Sequence, residues 1–156
     1  AVDLQDPRLD LLIAACHEAQ ATALVGAPVA EEGRRYIAML AVEATGARVV
    51  YRKQWLGGDE PQAFAPGTSP SVVEVDGWRV GLAICRDTGV EEHAAATAAL
   101  GMHVYAAGVL DHAHQLPIQH QRARRICREH RVWVALSSFA GSTGGGYVRA
   151  AGCSSL

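Results

Sequence analysis

Cys85 has the most favourable chemical setting of the chain's four cysteines. It follows the apolar run Val80-Gly81-Leu82-Ala83-Ile84 and precedes Thr88-Gly89-Val90-Glu91, which has the form of a capping box. A thiol between a strand end and a helix start meets the helix's positive pole and free backbone N–H groups. Both favour thiolate, and the N–H groups can donate to a developing oxyanion. The alternative is a cysteine that merely fills the strand end. Lys53 follows an apolar strand and precedes Gln54-Trp55-Leu56; taken alone it reads as a solvated rim residue, and Glu60 as ordinary loop charge. His112-x-His114, near Asp111 and His120, could share a face and bind zinc on a strand, but this segment reads as loop or helix. Arg122, Arg124, Arg125 and Arg128 sit close together and suit a solvated or subunit-contacting helix. The glycine-rich stretch 141–146 lacks the G-K-[ST] ending of a phosphate loop and reads as a plain loop.

The elements that must position these residues are legible in outline. Asp6-Pro7 is a helix start, and Leu9, Leu12, Ile13 and Cys16 form one apolar stripe to about Gln20. Ala23-Leu24-Val25-Gly26-Ala27 reads as a buried strand that stops before Pro28. Residues 36–42 and Val49-Val50-Tyr51, joined through Thr45-Gly46, suggest a hairpin. Residues 57–70 are rich in proline and glycine and form a surface loop. Val72-Val73-Glu74-Val75 and 78–85 flank Asp76-Gly77, a strong hairpin signal. An alanine-rich helix then runs to about Leu100 and ends at Gly101. Val104-Tyr105-Ala106-Ala107 is a strand, 117–130 a helix, Val132-Trp133-Val134-Ala135-Leu136 a buried strand, and Tyr147-Val148 the start of a last one. Helices alternating with strands, with hairpins among them, predict a layered α/β domain with a mixed sheet.

Composition narrows the function classes. Of 156 residues, 49% are hydrophobic and 19% charged, so a sizeable core forms without a disulfide or metal staple. A formal charge of -2 removes any global electrostatic argument for nucleic acid or an anionic membrane. No apolar run approaches the ~20 residues of a membrane span. The first residues lack the basic and apolar regions of a signal peptide. Cys16, Cys85, Cys127 and Cys153 contain no C-x-x-C pair, so they read as reduced thiols of a cytoplasmic protein, each a small buried apolar residue by default.

Taken together, the pieces resemble the nitrilase, or carbon–nitrogen hydrolase, superfamily. Tyr51-Arg52-Lys53-Gln54-Trp55-Leu56 resembles Y-R-K-x-H-L, with tryptophan for histidine. Glu60 falls at the family's spacing, and Phe64-Ala65-Pro66-Gly67 resembles F-x-P-G. The run from Val80 through Cys85-Arg86-Asp87 resembles V-G-x-x-I-C-Y-D, and Glu92 matches the glutamate of the following P-E. Arg124 and Glu129 resemble R-A-R-x-x-E-N, and Gly152-x-Ser154 the late G-x-S strand. The departures are Arg86 for tyrosine, Glu91 for proline, and His130 and Ser138 for two asparagines. They fall at positions that shape the pocket and so bear on the substrate.

The resemblance implies a four-layer αββα sandwich, of which residues 1–156 would be a partial domain lacking its first and last segments. It implies Cys85 as nucleophile on an amide, carbamoyl or, less favoured, nitrile carbon, with the backbone N–H of Arg86 beside Lys53 at the oxyanion. Glu60 would orient Lys53 and the substrate nitrogen, and the three residues would converge on one pocket. A further glutamate, the general base, would precede the helix that begins at Asp6. No metal or organic cofactor is implied. The expected partners are a small amide or carbamoyl substrate and a second copy of the chain in a homodimer or higher even oligomer. Nucleic acid and membrane are not expected. A non-catalytic nitrilase-like binding protein is the alternative, suggested by Arg86, Glu91 and His130; an unrelated α/β domain binding through its arginines or histidines is a third.

Overall fold

Asp6 starts the first helical segment through its own side chain, which accepts the Arg8 backbone N–H at 2.9 Å. In the computed structural model, which describes residues 1–143 and 148–156, this opens a 3-10 turn, Pro7–Leu9, that runs into α1, Asp10–Ala19. The helix stops at Gln20, which takes a left-handed conformation with φ 50°. The chain divides into two units, Ala1–Ser69 and Pro70–Leu156.

The first unit is an antiparallel sheet in the order β1 (Ala23–Glu31), β2 (Arg34–Glu43), β3 (Gly46–Arg52). The β2–β3 hairpin was legible from its turn. The β1–β2 hairpin was not, because Glu32-Gly33 is an unusual turn sequence; both residues have positive φ, 49° and 75°, as a two-residue hairpin requires. β1 also runs past its expected end, through Pro28 to Glu31. Proline is tolerated there because β1 is an edge strand, and Pro28 needs no N–H on the outer side. For the same reason β1 is only half-buried, not buried as expected, with Val29 alone fully enclosed. Leu9 and Cys16, flanked by Leu12 and Ile13, cover Val29, Ala38, Leu40 and Val42 on one sheet face. β2 is the central strand, and residues 38–42 are all buried, so both of its faces are covered.

The second unit holds β4 (Val72–Val75), β5 (Trp78–Ile84), β6 (Val104–Val109) and β7 (Trp133–Ser138), in that order across one sheet. β4 and β5 form the hairpin expected from Asp76-Gly77, whose φ values of 49° and 78° are those of its turn type. β5, β6 and β7 are parallel, joined by α2 (Glu91–Ala99) and α3 (Leu116–His130) as crossovers. Gly81 permits the close approach of α2: a Cβ there would lie 2.6 Å from both Thr97 Cγ2 and Met102 Sδ. Gly101, with φ 76°, ends that helical segment as expected.

Three expectations need correction here. Trp133 is exposed, because β7 alternates and buries Val134 and Leu136 instead. Val148 lies in a bend, and the short strand β9 is Ala150–Ala151, paired with β8 (Ala140–Gly141); Tyr147 and glycines 144–146 lie outside the described residues. None of the four cysteines forms a disulfide, but of them only Cys16 is buried. Cys127 is on the outer side of α3, and Cys153 follows β9 with φ 64°. Among the described residues no helix is long and apolar enough to cross a membrane.

Candidate active site

Lys53 is the first residue after β3, and its backbone is held from two sides. Its N–H donates to the Ile37 carbonyl and its own carbonyl accepts the Gly67 N–H, both at 2.8 Å. Gly67 must be glycine for this approach, since a Cβ would stand 2.1 Å from the Arg52 carbonyl oxygen. The lysine side chain is 3% exposed, so the reading of a solvated rim residue fails. A charge is buried only with a partner, and Lys53 has one: its ammonium donates to both Glu60 carboxylate oxygens at 2.7 Å. Glu60 opens a 3-10 turn, Glu60–Gln62, and its Oε2 also accepts the Gly57 N–H at 2.7 Å. The glutamate is thus fixed at three points rather than being ordinary loop charge. Beside the lysine, Gln54 Oε1 is buried without a partner.

Cys85 lies in the second unit, at the end of β5. Its φ is 48°, the left-handed region that cysteine seldom adopts, so the chain turns sharply at the thiol. The following segment is a 3-10 helix, Cys85–Gly89, rather than the expected start of α2. Side chains determine this. Thr88 Oγ1 donates to the Cys85 carbonyl at 2.7 Å instead of capping α2, and Asp87 Oδ2 accepts the Ile84 N–H at 2.9 Å. Val90, with no capping side chain, therefore precedes α2, whose first turn carries Glu91 and Glu92. The α-helix pole is accordingly six residues from the thiol, and the first N–H groups after the strand are those of the 3-10 turn. Arg86, whose N–H is the expected oxyanion donor, is the second residue of that turn, with its side chain exposed.

Beneath the elbow lies a polar cluster that sequence reasoning missed. Asp87, Thr88, His93 and Gln119 are all buried. The Gln119 amide pairs with the Thr88 hydroxyl at 3.2 Å, and His93 Nδ1 pairs with the Tyr105 hydroxyl at 2.9 Å. Burial holds the His93 imidazole below its ordinary value, against the opposing pull of the Asp87 carboxylate. Burial, reinforced by Asp87, pushes the Tyr105 phenol up. Asp87 and Thr88 follow the cysteine directly and could have been found from the turn; His93, Tyr105 and Gln119 carry no local signal.

The remaining candidates are scattered. Glu92, Arg124 and Glu129 are exposed. Arg125 already has carboxylates within its own unit, Glu91 at 2.7 Å and Glu129 at 3.8 Å, so it does not await one from elsewhere. His112 and His114 stack, with ring centroids 5.4 Å apart. Among the described residues no group of three or more His, Cys, Asp or Glu side chains is arranged to hold a metal ion. Ser154 Oγ accepts the Ser138 N–H at 2.9 Å, which ties the late Gly152-x-Ser154 segment to the end of β7.

Comparison with known proteins gives this arrangement its context. The Carbon-nitrogen hydrolase family matches residues 1–142. An (R)-stereoselective amidase from Pseudomonas sp. is 33% identical over 104 residues, which is 67% of this chain and 38% of that protein. The chain spans less than half the length of the curated relatives it matches, 38% and 47%. Among solved structures, a CN-hydrolase superfamily protein from Xanthomonas campestris, with an arsenic adduct in its active site, has a TM-score of 0.85 at 16% identity. The match covers 99% of this chain and 61% of that one. A variant of the amidase from Nesterenkonia sp. carries the acetamide moiety of fluoroacetamide covalently added at its active site cysteine. It has a TM-score of 0.78 at 22% identity, over 96% of this chain and 58% of that one. The expected nitrilase-type α/β fold is therefore the fold of this chain, and the chain belongs to the carbon–nitrogen hydrolase family.

Proposed function

We propose that this chain is part of a single carbon–nitrogen hydrolase domain, and that the whole protein is a thiol amidohydrolase acting on a small amide or N-carbamoyl compound. The observation that carries this reading is Cys85. A partly exposed thiol sits on a left-handed elbow, where Thr88 bonds the Cys85 carbonyl and Asp87 the preceding N–H, at the end of a parallel strand. The covalent adduct at the cysteine of the related Nesterenkonia amidase supports the same role.

In the proposed reaction the Cys85 thiol yields its proton to a general base, which the family resemblance assigns to a glutamate upstream of α1. The sulfur bonds to the carbonyl carbon. The resulting oxyanion takes hydrogen bonds from the Arg86 N–H and from Lys53. An ammonium has three donors and Glu60 accepts two, so one remains for substrate. The C–N bond breaks as the nitrogen accepts a proton, and the thioester is then cleaved by water to acid and free thiol. Neither metal nor organic cofactor enters these steps. Because Lys53 and Cys85 belong to different units, their joint action on one carbonyl is part of the proposal. Exposed, unpaired Cys127 and Cys153 suit a reducing cytoplasm. Assembly as a homodimer or higher even oligomer through α3 is also proposed, with Arg122 and Arg128 rather than Arg125 available to a partner; a concentration-independent monomer in sedimentation refutes it.

The decisive experiment incubates the intact protein with primary amides, measures ammonia, and seeks the acyl adduct on the Cys85 peptide by mass spectrometry. Ammonia release with an adduct at Cys85, both lost in Cys85→Ala, is expected. Binding of amides without turnover or adduct would overturn the reading in favour of a non-catalytic binding protein.

A further inference from the structure

Two buried oxygens at one end of the second unit's sheet are without hydrogen-bond partners among the described residues. In the parallel strands β5, β6 and β7, Ile84 is level with Gly108, and Val109 with Ser138. Cys85 leaves the first strand at this end, Asp111 lies two residues past the second, and Ser138 ends the third. Asp111 is 7% exposed and its Oδ2 has no hydrogen-bond partner; Ser138 Oγ is likewise buried and unmatched. Other buried polar side chains of this unit are bonded, Thr88 to Gln119, His93 to Tyr105 and Asp87 to the Ile84 N–H, while Arg125 Nε is the unit's other buried atom without a hydrogen bond among the described residues. A buried oxygen left without a hydrogen bond is costly, so two unmatched acceptors at one strand end call for a donor.

The surroundings connect this pair with the elbow. Burial pushes the Asp111 carboxyl up, against the opposing pull of Arg122, His112 and His120. The Arg122 guanidinium also lies against Gly89, the last residue of the turn that Cys85 opens; a Cβ on Gly89 would stand 2.9 Å from its Cζ. The C-terminal ends of parallel strands are where open α/β sheets receive ligands.

We propose that Asp111 and Ser138 accept hydrogen bonds from an N–H or O–H group that the substrate carries beside its scissile amide, so that the preferred substrates are donor-bearing amides rather than plain alkyl amides. The inference rests on the amide-hydrolase reading and goes beyond it in assigning a specificity pair. Neither residue takes part in bond making; the pair reads the substituent.

The test uses the intact protein with Cys85→Ala, so that binding is measured without turnover. Calorimetric titration compares 2-hydroxypropanamide with isobutyramide, which differ by a hydroxyl for a methyl. The hydroxy amide should bind at least about tenfold more tightly. Adding Asp111→Leu should erase that preference, and Ser138→Ala should reduce it. Should the leucine variant fail to fold, Asp111→Asn keeps an acceptor, and the preference should persist in it at reduced size. Equal affinity for the two amides, with amide hydrolysis by the unaltered enzyme intact, overturns this inference and leaves the hydrolase reading standing. Failure of either amide to bind, together with absence of hydrolysis, overturns both.

Discussion

The two units hold their chemical groups by opposite means. In the first, Lys53 is fixed by charge: its ammonium is buried and both oxygens of Glu60 close on it. In the second, Cys85 is fixed by backbone shape, with Thr88 bonding its carbonyl and Asp87 the N–H before it. A buried cation cannot be separated from its counter-ion without penalty, whereas a thiol on an elbow can be removed with little consequence for the fold. On the proposed roles of Lys53 and Cys85, one unit couples function to stability, and the other separates them.

The largest expected effect tests that separation. Cys85→Ala should lower amide turnover by on the order of 10⁴-fold or more while leaving the melting temperature nearly unchanged. Cys16→Ala, Cys127→Ala and Cys153→Ala should retain turnover. A melting temperature that falls with Cys85→Ala would show that the thiol is structural after all. For the first unit, Glu60→Ala should cost about 2–4 kcal/mol in denaturant unfolding, because it strands a buried ammonium beside a partly exposed carboxylate site. Unchanged stability would break the comparison from the other side.

Backbone crowding should hurt the second unit where side-chain loss does not. Gly81→Ala places a methyl against Thr97 and Met102 and should destabilise by about 1–3 kcal/mol. A smaller effect is pH-dependent. Because burial lowers the His93 value, the unfolded chain takes up its proton first as the medium is acidified. The stability that neutral His93 contributes is complete above its unfolded value of 6.5 and is lost as pH falls below it. His93→Gln should flatten that part of the stability–pH curve; an unchanged curve would assign the acid sensitivity elsewhere. The smallest effect sharpens the elbow itself. Cys85→Gly should be more stable than Cys85→Ala by about 1 kcal/mol, since glycine alone occupies φ 48° without a Cβ penalty.

Sequence carried the elements whose signals are local. Asp6-Pro7, Asp76-Gly77 and Gly101 mark real boundaries because one or two residues decide each turn. The errors lie where tertiary context decides. Pro28 stays in its strand only because β1 is at an edge, and Thr88 does not cap α2 because its hydroxyl donates to the Cys85 carbonyl. The burial of Lys53 was invisible in composition, since a lone lysine is solvated in most surroundings. Its tie to Glu60 came from family resemblance, and the geometry within the first unit agrees. Nothing along the chain announced that Asp87, His93, Tyr105 and Gln119 would share the space below the elbow, because helix crossovers separated by many residues bring them there.

Pro28 has a consequence for how the protein behaves among copies of itself. An exposed strand edge is a template on which unfolded or partly folded chains pair, and aggregates grow from such edges. On β1, Pro28 offers no N–H, and its carbonyl is taken by the Val2 N–H, which also sets Val2 in a parallel bridge with Val29. The outer edge of β1 is thus blunted at its centre by a missing donor and an occupied acceptor. A Pro28→Val change would give the strand a better β-former and an additional donor, and would make concentrated solutions more prone to edge-to-edge pairing.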